Sequence, residues 1–311
     1  MPGRAPMRRR RRPLARSVDD LMGRPARELL CLWEFWLLPL AIALLPYRAG
    51  IELARWCAAR LPLYDERARA GLAHYRAARP RGDAHGFLTE FRFTQLIDHA
   101  DLFWALTRSE RFLLSRLDAP PSPAEPPLMV IGMHFGQGLW LLPWLRACGT
   151  PARFLSVRFD ATAFESRLQY LYARLRIRVV EKLAGAPAIY TGGARGEIAT
   201  TLTQRGSVYG LIDVPTSAPS APNGMLFGAP VFWPSGLVDT ARAAGADVLL
   251  LTSHCDPDGR RAVVAERITT SDVAVIVSTF GARIDAAPGA WHVWHFLPDF
   301  VASDVEAQAL L

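Results

Sequence analysis

Lysine is almost missing from this chain: of 36 basic residues only Lys182 is one, a bias of composition with no functional content of its own. Cysteine is sparse as well. Cys31, Cys57, Cys148 and Cys255 are scattered through apolar surroundings with no Cys-x2-Cys pair, which argues against a structural zinc site and fits reduced thiols. His254-Cys255-Asp256 reads as a strand-end cluster before the turn Pro257-Asp258-Gly259, not as a metal or nucleophile site. No Gly-x-Ser-x-Gly elbow is present, and Gly192-Gly193-Ala194-Arg195-Gly196 lacks both the P-loop ending and the dinucleotide-binding spacing. That segment reads first as a turn and second as an anion site at a helix start. Acids are absent from the first 16 residues, where Arg4, Arg8–Arg12 and Arg16 supply seven positive charges. The net charge of +7 therefore belongs to this tail, and the remaining chain is formally neutral. Such a tail is either solvated, or a contact with anionic lipid headgroups, or a contact with nucleic acid. Nothing in the neutral body interleaves aromatic with basic residues, so no nucleic-acid partner is expected.

Long apolar runs are also few. The 18-residue stretch Leu29–Pro46 is apolar apart from Glu34, but it holds Pro39 and falls short of the roughly 20 residues a spanning helix needs. No small-residue cleavage site follows it, against a secretory signal. With Trp33, Trp36, Arg48 and Arg55 at headgroup depth, it reads as an interfacial or re-entrant helix. The alternative is a core helix of a soluble protein. One full crossing would separate an Arg-rich cytoplasmic tail from the rest of the chain, which disfavours spanning.

With half its 311 residues apolar, the chain can bury a large core. Three segments are expected: a basic tail (1–28), a membrane-associating helix with a helical region (29–118), and an α/β core (128–311). The Pro-rich stretch 119–127 separates the last two. Strand-like runs at Leu128–Gly132, Ala152–Val157, Ile177–Val180, Ser207–Ile212, Asp247–Thr252 and Ala262–Ala265 alternate with helical runs at Leu139–Ala147, Ala163–Leu175, Glu197–Gln204, Leu237–Ala244 and Ser271–Ile284. This alternation predicts an α/β fold, a central sheet flanked by helices. Phe164, Leu168, Leu171 and Leu175 mark one face of the second of these helices.

The most informative segment is Met133-His134-Phe135-Gly136-Gln137-Gly138-Leu139-Trp140, directly after the buried-strand pattern Leu128–Gly132. Open α/β sheets carry ligands and chemistry at the carboxyl ends of their strands. An imidazole there titrates near neutrality and can take a proton from a hydroxyl; the bland alternative is a hydrogen-bonded histidine without chemistry. Asp213 ends a second predicted strand and could face the same edge. The Pro215–Asn223 loop after it reads as a lid or a plain polar connection.

Several segments, in order, resemble the bacterial lipid A biosynthesis (late) acyltransferases. His134-Phe135-Gly136-Gln137 is similar to that family's His-Phe-Gly-Asn core, and Gly206–Asp213 to the strand ending in its Asp-Gln pair. Leu226-Phe227-Gly228-Ala229-Pro230-Val231, Ser235–Ala246 and Pro288–His295 resemble its later elements. The resemblance covers roughly residues 25–300. It implies an acyltransferase-like fold and transfer of a fatty acyl chain from an acyl carrier protein or acyl-coenzyme A thioester to a lipid acceptor. The implied setting is the cytoplasmic face of the inner membrane, with neither metal nor other cofactor. His134 would be the base. Gly136, Gln137, Phe227 and Gly228 would bind substrate, and Arg174 or Arg176 would bind a phosphate. The departures are specific. The family's acid four residues beyond the histidine is Leu139 here, the Gln of its Asp-Gln pair is Val214, and no Arg-Arg pair follows Trp291. Asp213 is the substitute acid by position. Without an acid, the same fold would serve as a lipid- or partner-binding protein.

Overall fold

A computed structural model describes residues 23–121, 125–215, 221–269 and 272–301. The seven arginines of the tail and positions 216–220 of the suggested lid lie outside these residues.

The apolar run Leu29–Pro46 does not form one straight helix. Helix α1 (Arg24–Cys31) passes through a π-helical turn, Leu32–Leu37, into α2 (Leu38–Leu44). Pro39 has no N–H to continue the regular ladder, and the wide turn precedes it. The chain then reverses at Leu45–Pro46 into α3 (Tyr47–Arg60). Among the described residues no helix is long and apolar enough to cross a membrane. One face of the run (Phe35, Leu38, Ile42, Ala43) joins the main apolar core, while Leu29, Leu30, Trp33, Leu37 and Leu44 are exposed. Glu34 lies on the inner face, where its carboxylate accepts the Tyr64 N–H at 2.6 Å and its carbonyl accepts the Tyr64 hydroxyl at 2.9 Å.

Helix α4 (Asp65–Ala78) leads to α5 (Ala84–Thr107), whose first amides are capped by the Asp83 carboxylate at 3.0 Å. Almost all of α5 from Gln95 to Ala105 is buried against the sheet and the N-terminal helices. A short α6 (Glu110–Leu114) precedes the first strand. One ion pair ties α5 to the far side of the core: Asp101 and Arg261 are both fully buried and 2.5 Å apart, with the guanidinium stacked on Trp140.

The central sheet has seven strands: β1 (Leu117–Asp118), β2 (Leu128–Gly132), β3 (Ala152–Ser156), β4 (Ile189–Tyr190), β5 (Ser207–Leu211), β8 (Asp247–Cys255) and β9 (Arg261–Ile268). A separate antiparallel hairpin is built from β6 (Gly224–Leu226) and β7 (Ala229–Val231). The sheet order is β1-β9-β8-β2-β5-β3-β4. All neighbours pair in parallel except β8 with β9, so β9 and β1 run against the rest. Flanking helices are α7 (Leu141–Ala147), α8 (Arg167–Ala184), α9 (Ala194–Thr203), α10 (Gly236–Ala243) and α11 (Val273–Ala286). The α/β architecture with its sheet between helices is therefore the one the alternating pattern implies.

One expected strand is a helix. Ile177–Val180 belongs to α8, which starts at the Ser166 cap and ends at Gly185 in the left-handed region (φ 73). Its Arg-Ile-Arg-Val-Val alternation imitates a strand, but Tyr172, Val179, Val180 and Leu183 form one buried helical face. The face expected from Phe164 to Leu175 is rotated accordingly: Leu171 is exposed, and Phe164 precedes the helix. The β6–β7 hairpin and the two-residue β4 have no counterpart among the expected strands.

Candidate active site

The site is assembled by register. β2 and β5 are parallel neighbours with Gly132 opposite Leu211, so residues two positions beyond each strand end emerge side by side. Those residues are His134 and Asp213. Their side chains meet, His134 Nδ1 lying 3.0 Å from Asp213 Oδ1. The His134 backbone N–H also donates to both carboxylate oxygens, at 3.0 and 2.9 Å, and Trp291 Nε1 donates to Oδ2 at 2.9 Å. Asp213 is fully buried, whereas the His134 side chain is 40% exposed. A buried carboxylate needs such donors.

This contact fixes the tautomer. An ionised carboxylate can only accept, so Nδ1 carries the proton and Nε2 keeps its lone pair. Burial lowers the His134 pKa, but the charge and hydrogen bond of Asp213 outweigh it and hold the imidazole above its ordinary value. The result is a base oriented by an acid, the arrangement that stabilises an imidazolium formed on proton transfer.

The His134 segment is clamped from both sides. His292 N–H donates to the His134 carbonyl at 2.8 Å, and Gly136 N–H donates to the Ala290 carbonyl at 2.8 Å. The His292 Nε2–H donates to the Gly136 carbonyl at 2.7 Å, which places the proton of a neutral ring on Nε2. Burial lowers the His292 pKa, against the opposing Asp98 charge, which favours that neutral ring. On the other flank Gln137 N–H donates to Ser253 O at 3.1 Å, and the Ser253 hydroxyl donates to the Gln137 carbonyl at 2.5 Å. Gly136 adopts φ +57, and a Cβ there would come within 1.9 Å of Ser253 O; no other residue fits without moving the clamp.

The remaining expected site residues fall in different places. Gly136 and Gln137 lie in the His134 loop, but both backbone N–H groups are engaged by carbonyls, so neither is free to stabilise an oxyanion. Gln137 is buried, and its Oε1 has no hydrogen-bond partner among the described residues. Arg176 is not free to bind phosphate: it pairs with Asp98 of α5 at 2.9 Å and donates to the Tyr172 hydroxyl at 3.3 Å. The Asp98 carboxyl, though buried, is held below its ordinary pKa by Arg176. This pair is close enough to act electrostatically on both His134 and His292. Arg174 is exposed and lies across a different cleft.

Phe227 and Gly228 form the two-residue turn of the β6–β7 hairpin, with φ 54 and 84, the positive values a tight hairpin turn requires. The Phe227 ring stacks on Trp294 at 5.0 Å and reaches Trp291 at 6.4 Å. Trp291, in turn, donates to Asp213. Trp294 also lines a surface cleft of ≈ 620 Å³ with Tyr75, Arg79 and Asp285. Leu139, at the position of the expected acid, is 3% exposed and packs in the main core.

No family model matches the chain, and no curated protein matches it.

Trp291, His292 and Ser253 were not expected at the site. Trp291 and His292 lie in the Pro288–His295 segment, whose resemblance implies no role for them, and Ser253 precedes the His254-Cys255-Asp256 strand-end cluster. Nothing local marks them, because each reaches the His134–Asp213 unit from more than 70 positions away.

Proposed function

We propose that this chain is an acyltransferase of the lipid A acyltransferase type, carrying a fatty acyl group from a thioester to a lipid acceptor. The observation that carries the reading is the Asp213–His134 contact, which supplies an acid partner where Leu139 cannot. In this mechanism His134 Nε2 removes the proton from an acceptor hydroxyl or amine as its oxygen or nitrogen attacks the thioester carbonyl. The tetrahedral intermediate collapses with cleavage of the C–S bond. The departing sulfur takes the proton back from His134, and Asp213 stabilises the imidazolium meanwhile. The donor is an acyl carrier protein or coenzyme A thioester. No redox or metal cofactor takes part in the proposed steps.

The exposed face Leu29, Leu30, Trp33, Leu37 and Leu44 supports a place on the membrane surface. Such an apolar face next to an Arg-rich tail suits an anionic, cytoplasmic leaflet of the inner membrane, which would deliver the lipid acceptor laterally. Leu139 favours a second reading, a binding protein that retains the fold without catalysis; the oriented, solvent-reachable His134 favours the enzyme. Comparative lipid mass spectrometry of cells expressing wild type and His134→Ala tests the two. A new acylated lipid lost in the variant supports transfer. Identical profiles, with both proteins folded and at the membrane, would remove the enzyme reading.

A further inference from the structure

Three arginines meet at a second cleft on the same edge of the sheet as the dyad. Arg158 lies two residues beyond β3, as His134 and Asp213 lie two beyond β2 and β5. The parallel registers, Gly132 opposite Leu211 and Phe154 opposite Tyr209, place all three in one row. Tyr190 ends the neighbouring β4, opposite Ser156. From α8 come Arg174 and Arg178, one helical turn apart. With Phe159 and Glu181 these residues line a cleft of ≈ 330 Å³.

The cleft is built for an anion. Among the described residues none of Arg158, Arg174 and Arg178 forms an ion pair. Arg158 lies 4.5 Å from the Tyr190 ring centroid and Arg174 lies 5.7 Å from that of Tyr170. The one lining carboxylate, Glu181, accepts the Ala188 N–H at 3.1 Å and the Tyr190 hydroxyl at 3.4 Å. Three guanidiniums against one carboxylate leave two positive charges in excess. Helix α9 starts beyond β4 at the same edge, after Gly192 and Gly193 (φ 90 and 122), with no side chain capping its first amides. Its positive end adds to the field.

We infer that this cleft holds the phosphate of a phosphopantetheine arm, with the arm running along the sheet edge to place its thioester at His134. The inference rests on the acyl-transfer reading and specifies the donor's handle. Length supports it. Strands lie about 4.8 Å apart, so two to three strand spacings separate His134 from the cleft, about 10–14 Å. From phosphorus to sulfur the arm has about as many main-chain bonds as four extended residues, about 14 Å. Guanidinium groups match phosphate geometry in a way a point charge does not. Arg176, engaged by Asp98, is not part of this subsite.

The test is titration calorimetry on the full chain with coenzyme A, 4′-phosphopantetheine, phosphate-free pantetheine and a holo-acyl carrier protein. The proteins are wild type, His134→Ala and the double variant Arg158→Ala/Arg178→Ala, each checked by thermal melting. Wild type is expected to bind phosphate-bearing probes at least ~10-fold tighter than pantetheine, and the double variant to lose that preference. Binding of coenzyme A and 4′-phosphopantetheine supports the subsite, and the presence or absence of carrier-protein binding beside it identifies the donor; binding of the carrier protein with neither small phosphate probe would overturn it. No binding by wild type, equal binding of pantetheine, or a preference that survives in the double variant would overturn it. His134→Ala should bind as wild type does. If wild type binds these probes yet transfers no acyl group, the acyl-transfer reading fails while the phosphate subsite stands.

Discussion

Trp291 donates its indole N–H to Asp213 Oδ2 at 2.9 Å, on the opposite oxygen from the one that faces His134 Nδ1. With the His134 backbone N–H, which donates to both oxygens, these two side-chain donors hold the fully buried carboxylate in one orientation. Replacing Trp291 with Phe keeps most of the ring packing and removes only the donor. The expected loss is about 1–3 kcal/mol of stability, measured by chemical denaturation. Loss of this donor also leaves the Asp213 charge less shared and its pull on the imidazolium stronger, which moves the His134 titration further up in pH.

Asp213→Asn shifts the same titration the other way. His134 must be neutral to act as a base, and its pKa in the folded protein is raised by Asp213 against burial. The acidic limb of the rate profile is therefore expected above the ordinary histidine value, with activity lost as pH falls through it. Without the carboxylate charge burial dominates, the Asp98 and Arg176 charges opposing one another, and the limb moves below that value. The maximal rate falls by about two to four orders of magnitude. Opposite displacements in Trp291→Phe and Asp213→Asn, read from rate against pH, separate positioning of the acid from its loss.

These relations show how far the sequence carries. β2, β5 and β8 are legible because parallel strands buried on both faces are short apolar runs. From their ends the meeting of His134 and Asp213 follows as a possibility of position. The Trp291 and Arg176 contacts do not, since their partners lie 78 residues away in each case. Ile177–Val180 was misread because alternation over four residues cannot distinguish a strand from the last turns of a helix. The β6–β7 hairpin escaped because Ala-Pro-Val and Gly-Met-Leu carry little strand signal, and its turn is Phe-Gly instead of Asn-Gly.

Glu34 gives the N-terminal helices a pH dependence. Burial raises its carboxyl from 4.5 to about 7, against the Tyr64 N–H bond, which lowers it. A pKa higher in the folded than in the unfolded chain means the native state binds more protons between those values. Its contribution to stability is full below about 4.5 and is lost as pH rises toward 7. Glu34→Gln keeps an oxygen for Tyr64 and removes the ionisation. Denaturation midpoints measured across that range should fall less steeply with rising pH in the variant.

The Asp101–Arg261 pair is fully buried on both sides. Asp101→Asn leaves a buried guanidinium without its counter-charge, and is expected to cost about 3–5 kcal/mol. Replacing both together, Asp101→Leu with Arg261→Met, should recover most of that loss. Urea denaturation of the three proteins checks the ordering; a single variant as stable as wild type would mean that the pair does not tie α5 to the core.

The most direct measurement is transfer of a radiolabelled acyl group from acyl-coenzyme A or acyl carrier protein into lipid. Purified wild type, His134→Ala and Asp213→Asn are compared in anionic mixed micelles. The proposed mechanism predicts labelled lipid with wild type, none above background with His134→Ala, and a small residue with Asp213→Asn. Equal labelling by wild type and folded His134→Ala would contradict it.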